Sequence, residues 1–452
     1  MNEKKSNIGQ QPIRDARTLG TPKMLILGLQ HMFAMFGATV LVPILVQSYG
    51  LPLSIQTTLF FAGIGTLFFH VCTKMKVPAF LGSSFAFLGG FAAMGAMDQG
   101  IYAAMEASEK LQYACGGIVV AGLLYVVLAA IIKAVGVHKV MHYLPPVVTG
   151  PIIILIGLNL APSAVSNAST CWWLALVAMG IIIVCNIWGK GMVKIIPILL
   201  GVVGSYIVAL IAGKVDFSAM QGVDIIGLQP FFTNFGGSIA KFDISAILVM
   251  APIAIASMME HIGDMSAISA TVGDNFIEDP GLHRTLIGDG IATSLSALFG
   301  GPANTTYGEN TGVLVLSKVH DPRVIRLAAI YALVLSFSPW FAAFINSIPA
   351  AIIGGVSFIL YGMISAIGVR NVVENQVDFT NSRNLIIAAV ILVCGLGFTG
   401  GLTFQVGGAS ITLTSLAIAA IAGIVLNAIL PGNDFNFGEN TDSKASGNLG
   451  QY

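Results

Sequence analysis

A polar run interrupts an otherwise apolar part of the chain and reads Gly301-Pro-Ala-Asn-Thr-Thr-Tyr-Gly-Glu-Asn-Thr-Gly312. It opens with proline and small residues, as expected of a short extended strand that leads into a half-helix. A second run of the same kind reads Val77-Pro-Ala-Phe-Leu-Gly-Ser-Ser-Phe-Ala-Phe87. Non-helical backbone at membrane depth survives only where it is buried in protein or lines a wet cavity. The two runs therefore predict half-strands that border a common cavity.

The composition indicates that lipid surrounds most of the chain. Of the 452 residues, 56% are hydrophobic and 9% are charged, whereas soluble domains carry about 25% charged residues. Zero net charge gives no basic field for nucleic acid. The five cysteines lack CxxC spacing and are interpreted as packing residues, with no disulfide or metal role. These features predict an all-α polytopic membrane protein.

Apolar stretches of membrane-spanning length recur along the chain and predict about fourteen segments. The predicted segments are 24–47, 51–72, 77–97, 112–132, 145–163, 171–188, 195–212, 245–264, 285–300, 302–318, 326–346, 348–368, 384–400 and 405–430.

The basic residues predict the orientation of these segments. With alternating segments, 18 of the 21 Lys and Arg residues fall on the side of the N-terminus, and only Lys110, Lys214 and Lys241 fall on the other. The positive-inside rule then places both termini on the cytoplasmic side of an inner or plasma membrane. Residues 1–23 are expected to form a cytoplasmic leader, and the polar tail 431–452 is expected to be disordered.

Weak self-similarity predicts two related halves. Pro78-Ala79 recurs as Pro302-Ala303, an offset of 224, and the Gly63-Ile-Gly65 triplet resembles Gly288-Asp-Gly290, an offset of 225. Each half would contain seven segments, and because seven is odd the two repeats would be inverted.

Four acids fall within or beside the predicted eighth, ninth and tenth segments, namely Glu260, Asp264, Asp289 and Glu309. An acid at the centre of a spanning helix costs about 2.5 to 3.5 kcal/mol even on low estimates, so these side chains should face the protein interior. Glu260 and Asp264 are four residues apart and share one helix face. Without a basic partner in these segments, the acids can bind and release protons, which predicts proton coupling. An alternative for Asp289, between two glycines, is a brace for a backbone break.

Several motifs, in order, resemble those of the nucleobase/ascorbate transporter (nucleobase:cation symporter-2) family, and the likeness covers residues 24–430. They are Gln30-His31, Pro78 to Phe87, Glu260-His-Ile-Gly263, Gly281-Leu-His-Arg284 and Asn304 to Gly312. The residue before Asn310 is Glu309, and this resembles the uracil permeases, the uracil:proton symporters of the family. Purine and xanthine permeases tend to carry Gln at that position.

The resemblance implies a core domain that holds the substrate and a gate domain against which it moves. The core would comprise residues 24–134 (segments 1–4) and 245–346 (segments 8–11). The gate would comprise residues 135–244 (segments 5–7 and a loop) and 347–430 (segments 12–14). A homodimer through the gate is also implied.

The resemblance also implies how the site is built. The side chains of Glu260 and Glu309 would accept the N–H groups of uracil, and the backbone N–H groups of Phe85 and Gly308 would meet its carbonyl oxygens. Ala38 and Tyr307 would line the pocket. Proton coupling would involve Glu260, Asp264, Glu309 and Asp289, with the proton as coupling ion and no other cofactor.

Other functions remain open at this point. Asp264 stands where a uracil permease relative has His and where xanthine-type members have Asp, so a xanthine or purine permease is the main alternative. An anion transporter of the same architecture is disfavoured by the acids. An intramembrane enzyme is disfavoured because the chain lacks HExxH and the Gly-x-Gly that precedes the acid of intramembrane aspartyl proteases, and ATP-driven transport because it lacks GxxxxGK[ST].

Overall fold

A computed structural model describes residues 12–98, 100–227, 239–406, 409–432 and 435. The predicted leader therefore lies outside the described residues up to position 11, and the predicted tail does so apart from 431–432 and 435.

In the described part of the first half, helices are joined by loops and one short strand. Its elements are α1 (Thr21–Ser48), α2 (Ile55–Cys72), β1 (Leu81–Ser83), α3 (Leu88–Ala96), α4 (Ala107–Val135), α5 (Val137–Tyr143), α6 (Pro146–Ser169), α7 (Trp172–Ile187), α8 (Met192–Ile195) and α9 (Pro197–Ile211).

The second half repeats the helix–strand–helix arrangement and adds a β-hairpin that was not predicted. Its elements are α10 (Ile244–Met250), α11 (Ile253–Val272), α12 (Leu282–Leu298), β2 (Asn304–Thr306), α13 (Gly308–Ser317), α14 (Pro322–Ser336), α15 (Pro339–Asn346), α16 (Ala350–Glu374), α17 (Ser382–Gly397), β3 (Leu402–Val406), β4 (Ala409–Leu413) and α18 (Ser415–Ile429). The hairpin occupies the start of the predicted segment 405–430, so the helix there begins only at Ser415.

Helix length and surface composition confirm a mostly helical membrane protein. Among the described residues, six helical stretches are long and apolar enough to span a bilayer, or seven if a bent pair counts as one span. Large apolar side chains such as Val127, Ile211 and Val393 are exposed on α4, α9 and α17. An outer surface of this kind suits contact with lipid. The count of fourteen segments stays a prediction.

The two predicted half-strands are present and pair with each other. β1 and β2 run antiparallel, with Leu81 opposite Thr306 and Ser83 opposite Asn304. Backbone hydrogen bonds continue the ladder on both sides, from Tyr307 N to Phe80 O at 3.0 Å and from Ser84 N to Ala303 O at 2.8 Å. Each strand leads within a few residues into a helix, α3 or α13, so two helix N-termini approach the same ribbon.

The predicted eleventh segment, 326–346, is two helices rather than one. α14 and α15 meet at 88°. Ser338 caps α15 by accepting a hydrogen bond from Phe341 N at 3.2 Å, and Pro339 occupies its first turn. Proline has no N–H to continue α14, so the apolar sequence turns here instead of running straight.

Two helix pairs pack closely through glycine. A Cβ on Gly122 of α4 would overlap the Gly290 carbonyl of α12, and a Cβ on Gly157 of α6 would overlap the Tyr361 carbonyl of α16. Small residues let membrane helices approach at backbone distance. The first pair lies in the predicted core and the second in the predicted gate.

The end of the predicted leader is folded against the protein. Ile13 forms a parallel bridge with Val319, and Arg14 Nη1 lies 2.6 Å from Asp274 Oδ2. The exposed Asp15 bonds to Arg17, which lowers the pKa of Asp15 to about 2. These contacts tie the start of the chain to the ends of α11 and α13.

Candidate functional site

Three helices bring the four predicted acids into one cluster. Glu260 and Asp264 lie one turn apart on α11, Glu309 lies in the first turn of α13, and Asp289 lies on α12. Asp264, Glu309 and Asp289 are all close enough to Glu260 for their charges to repel it. The cluster therefore concentrates carboxyl groups within the protein.

The acids differ in exposure and in partners. Glu260, Asp264 and Glu309 are half-buried, whereas Asp289 is fully buried. Asp264 Oδ2 accepts a hydrogen bond of 2.7 Å from Thr306 Oγ1. Glu260 Oε2 is buried and has no hydrogen-bond partner in the described part of the chain. A buried carboxylate oxygen without a donor is a candidate contact for a ligand N–H group.

Asp289 faces a partner that the sequence analysis did not assign. His261 Nδ1 lies 2.8 Å from Asp289 Oδ2, and both side chains are fully buried. The His261 ring also contacts Phe69 of α2 edge to face, with 6.3 Å between ring centroids. As expected from their adjacency, His261 and Glu260 point to different faces of α11. Asp289 thus belongs to a buried pair behind the half-exposed acids, and both roles predicted for it, proton coupling and a brace for a backbone break, stay predictions.

The backbone N–H groups of Phe85 and Gly308 lie at corresponding places beyond the two half-strands. Neither group has a backbone acceptor within the described residues. Gly308 opens α13, and a Cβ built there would lie 3.9 Å from Asp264 Oδ1. Helix N-termini carry a partial positive charge and unpaired donors, so this region can accept the oxygens of a neutral ligand.

Tyr307 and Ala38 form part of the wall behind the half-strands. The Tyr307 hydroxyl donates to Ser83 O at 2.9 Å, and Thr39 Oγ1 lies 3.4 Å from it. Tyr307 and Ala38 are both buried. The hydroxyl is used to join α13, β1 and α1, which leaves the ring as the part of Tyr307 that can border a ligand.

Residues outside the predicted set also approach the site. The Phe85 ring packs edge to face on Tyr361 of α16, with 6.0 Å between centroids. Asn310 Nδ2 donates to His31 O at 3.0 Å and joins α13 to α1. The sequence offered no signal for Tyr361, because only the fold brings α16 next to the first half-strand.

The sequence resembles known permeases over most of its length. A family model described as "Permease family" matches residues 22–403. Uracil permease of Bacillus caldolyticus is 42% identical over 429 residues, covering 93% of this chain and 94% of that protein. Uracil permease of Bacillus subtilis (strain 168) is 40% identical and covers 95% of this chain and 97% of that protein. Uracil permease of Escherichia coli (strain K12) is 35% identical, with 89% and 90% covered.

The fold resembles solved transporters at lower sequence identity. The transmembrane domain of a cyanobacterial bicarbonate transporter, BicA, superposes with a TM-score of 0.58 at 16% identity and covers 92% of this chain and 99% of that domain. The structure of SLC26A9 gives a TM-score of 0.63 at 11% identity and covers 92% of this chain and 66% of that protein. These matches concern the fold alone.

Proposed function

We propose that this chain, which belongs to the permease family, imports uracil together with a proton across a bacterial inner or plasma membrane. The observation that carries the proposal is the acid cluster on α11, α12 and α13 beside the free amides of the half-strand region. Three relatives that are 35% to 42% identical to this chain are named uracil permeases.

Uracil has two N–H donors and two carbonyl acceptors, and the site contains groups that complement both. The carboxylates of Glu260 and Glu309 accept the N–H groups, and the backbone N–H groups of Phe85 and Gly308 meet the carbonyl oxygens. The Tyr307 ring and Ala38 border the base. A site built to satisfy every polar group of its ligand rejects an analogue that leaves one unpaired.

Proton coupling follows from the charges around the site. No Lys or Arg within the described residues forms an ion pair with Glu260, Asp264 or Glu309. A proton bound at this cluster relieves the repulsion among the acids and lowers the cost of enclosing them with a neutral base. Because linkage is reciprocal, the proton raises uracil affinity by the factor by which uracil raises proton affinity.

Alternating access requires the core to move against the gate as a unit. The close α4–α12 and α6–α16 contacts hold each part together. A small apolar cavity lies between α1 and the gate helices α9 and α16. The residues that line it include Phe36, Val40, Leu199, Val202 and Val356. Apolar surfaces of this kind can slide without breaking hydrogen bonds. Both termini are cytoplasmic in this scheme, and two copies associate through the gate.

The shared fold does not make an anion the favoured substrate. An anion in this site would meet Glu260, Asp264 and Glu309 without a neighbouring ion-paired cation, and like charges at short range repel strongly in a poorly hydrated site. A neutral heterocycle with N–H donors suits the same groups.

Uptake of radiolabelled uracil into a host that lacks uracil transport tests the proposal. Glu260→Gln and Glu309→Gln should each cause severe loss, while the exposed Glu278→Gln should transport normally. A protonophore should abolish accumulation. Preferential competition by xanthine would assign the chain to the purine permeases instead, and normal uptake by either site variant would remove that residue from the site.

A further inference from the structure

Within the described residues the β1–β2 ribbon has two strands, so each strand has an outer edge without a neighbouring strand there. Edge N–H and C=O groups at membrane depth must be paired within the protein, because hydrocarbon offers no hydrogen bonds. Side chains from two helices cover these edges in place of a third strand.

Thr66 of α2 covers the edge of β1. Its Oγ1 accepts a hydrogen bond from Leu81 N at 2.9 Å and lies 3.2 Å from Leu81 O, to which it donates. One turn later, His70 Nε2 donates to Ala79 O at 2.9 Å. Ala79 and Leu81 are two residues apart and so expose their polar groups along the same edge. Thr66 and His70 are fully buried.

Thr293 of α12 covers the edge of β2 in the same way. Its Oγ1 accepts from Asn304 N at 3.1 Å and donates to Asn304 O at 3.1 Å. One turn later, Ser296 Oγ donates to Pro302 O at 2.6 Å. One threonine hydroxyl therefore satisfies both backbone groups of the first residue of each half-strand.

We call the hydrogen bonds of Thr66 to Leu81 and of Thr293 to Asn304 the two clamps. Each clamp lies the same number of residues before a proposed ligand-binding amide. Leu81 precedes Phe85 by four residues, and Asn304 precedes Gly308 by four residues. We propose that Thr66 and Thr293 are positioning residues that fix the two half-strands and thereby place the amides of Phe85 and Gly308 for the substrate. The role of those amides rests on the proposed function, whereas the clamp itself rests on the hydrogen bonds above.

Valine has nearly the shape of threonine but no hydroxyl, so Thr→Val removes the clamp and leaves two buried backbone groups unpaired. The same helices offer matched controls. Thr58 of α2 and Thr285 of α12 are equally buried, but their hydroxyls bond only to their own helix backbone, at Ser54 O (2.8 Å) and Leu282 O (3.0 Å).

Uracil binding to the purified full chain in detergent or nanodiscs tests the proposal. Thr66→Val and Thr293→Val should each raise the dissociation constant about tenfold, as expected when buried groups lose their partner. Thr66→Ser and Thr293→Ser should restore most of the affinity, and Thr58→Val and Thr285→Val should bind like the wild type. Equal affinity of the clamp and control variants would overturn the proposal.

A second measurement covers variants that fold poorly and separates the clamp from the proposed function. Thr66→Ala and Thr66→Ser differ only in the hydroxyl, and so do Thr293→Ala and Thr293→Ser. Without ligand, we expect faster hydrogen–deuterium exchange in 81–85 for Thr66→Ala than for Thr66→Ser, and in 304–308 for Thr293→Ala than for Thr293→Ser. Equal exchange would show that the hydroxyl does not fix the strand. If the wild type bound no uracil while exchange still differed, the proposed function would fail and the clamp would stand.

Discussion

The Asp264 carboxylate accepts a hydrogen bond of 2.7 Å from the Thr306 hydroxyl, and this bond joins an acid of the site to a half-strand. Asp264 also lies close enough to Glu309 for their charges to repel. A change of charge at Asp264 therefore alters its hydrogen bond to the β2 residue Thr306 and its repulsion of Glu309.

We expect Asp264→Asn to separate these two effects. The amide oxygen can still accept the Thr306 hydroxyl, so at about pH 5, where the coupled proton is bound, uracil affinity should change by no more than about threefold. The wild type should bind uracil less tightly as pH rises, because the coupled proton is lost, and the variant should show a weaker dependence. Dissociation constants measured from about pH 5 to 8 check both points. A flat wild-type profile would contradict coupling through these acids, and an unchanged profile in the variant would exclude Asp264.

We expect His261→Phe to destabilise the protein. The ring volume stays, but the buried Asp289 carboxyl loses the imidazole nitrogen that lies 2.8 Å from it. A buried polar group that loses its partner costs about 1 to 3 kcal/mol. Thermal unfolding in detergent measures the loss. The double variant His261→Phe, Asp289→Asn carries no unpaired charge and should recover part of the stability. An unaltered single variant would mean that the 2.8 Å contact contributes little.

We expect Tyr307→Phe to weaken uracil binding, because Ser83 O loses its donor and the junction of α13, β1 and α1 loosens. A lost hydrogen bond of this kind corresponds to about a fivefold to tenfold change. Tyr331→Phe is the control, since that hydroxyl also donates to a backbone oxygen, Leu25 O, at an exposed position. Isothermal titration with uracil compares the two variants, and equal binding would leave the Tyr307 hydroxyl without a role.

We expect Gly82→Ala to abolish uptake. The Tyr307 ring lies against Gly82, where an added Cβ would overlap it, so the methyl group must displace the ring from the wall of the site. Gly89→Ala is the matched control, because a Cβ there meets no atom within 4 Å. Uptake assays with matched expression levels decide the matter, and an active Gly82→Ala protein would show that the wall tolerates movement.

The half-strands and the acids were predictable because each is costly in a membrane. Proline and small residues at Val77–Phe87 and Gly301–Gly312 conflict with a spanning helix, and four acids conflict with lipid, so both stood out against apolar sequence. The family model and the relatives confirm the permease assignment. The roles of the individual site residues stay predictions.

Other features of the fold and the site do not conflict with a membrane-spanning helix, so the sequence did not predict them. The right-angle break between α14 and α15 lies within continuous apolar sequence, and only Ser338-Pro339 marked it as a helix start. Threonine and tyrosine occur at many positions in membrane helices, so Thr66, Thr293 and Tyr361 did not stand out in the sequence. Their importance arises from contacts between elements far apart in sequence, which periodicity and composition do not reveal.

The pairing of Ser83 with Asn304 affects when the protein becomes functional during its synthesis. Ribosomes deliver the amino-terminal half to the bilayer long before the other strand exists, so the early inserted half holds one side of a two-piece receptor. We therefore expect cargo to be recognised only after translation has passed the second strand and the two strands have paired. A truncated product of the first half should therefore be inactive, and co-expression of the two halves as separate chains should restore activity only if β1 and β2 pair.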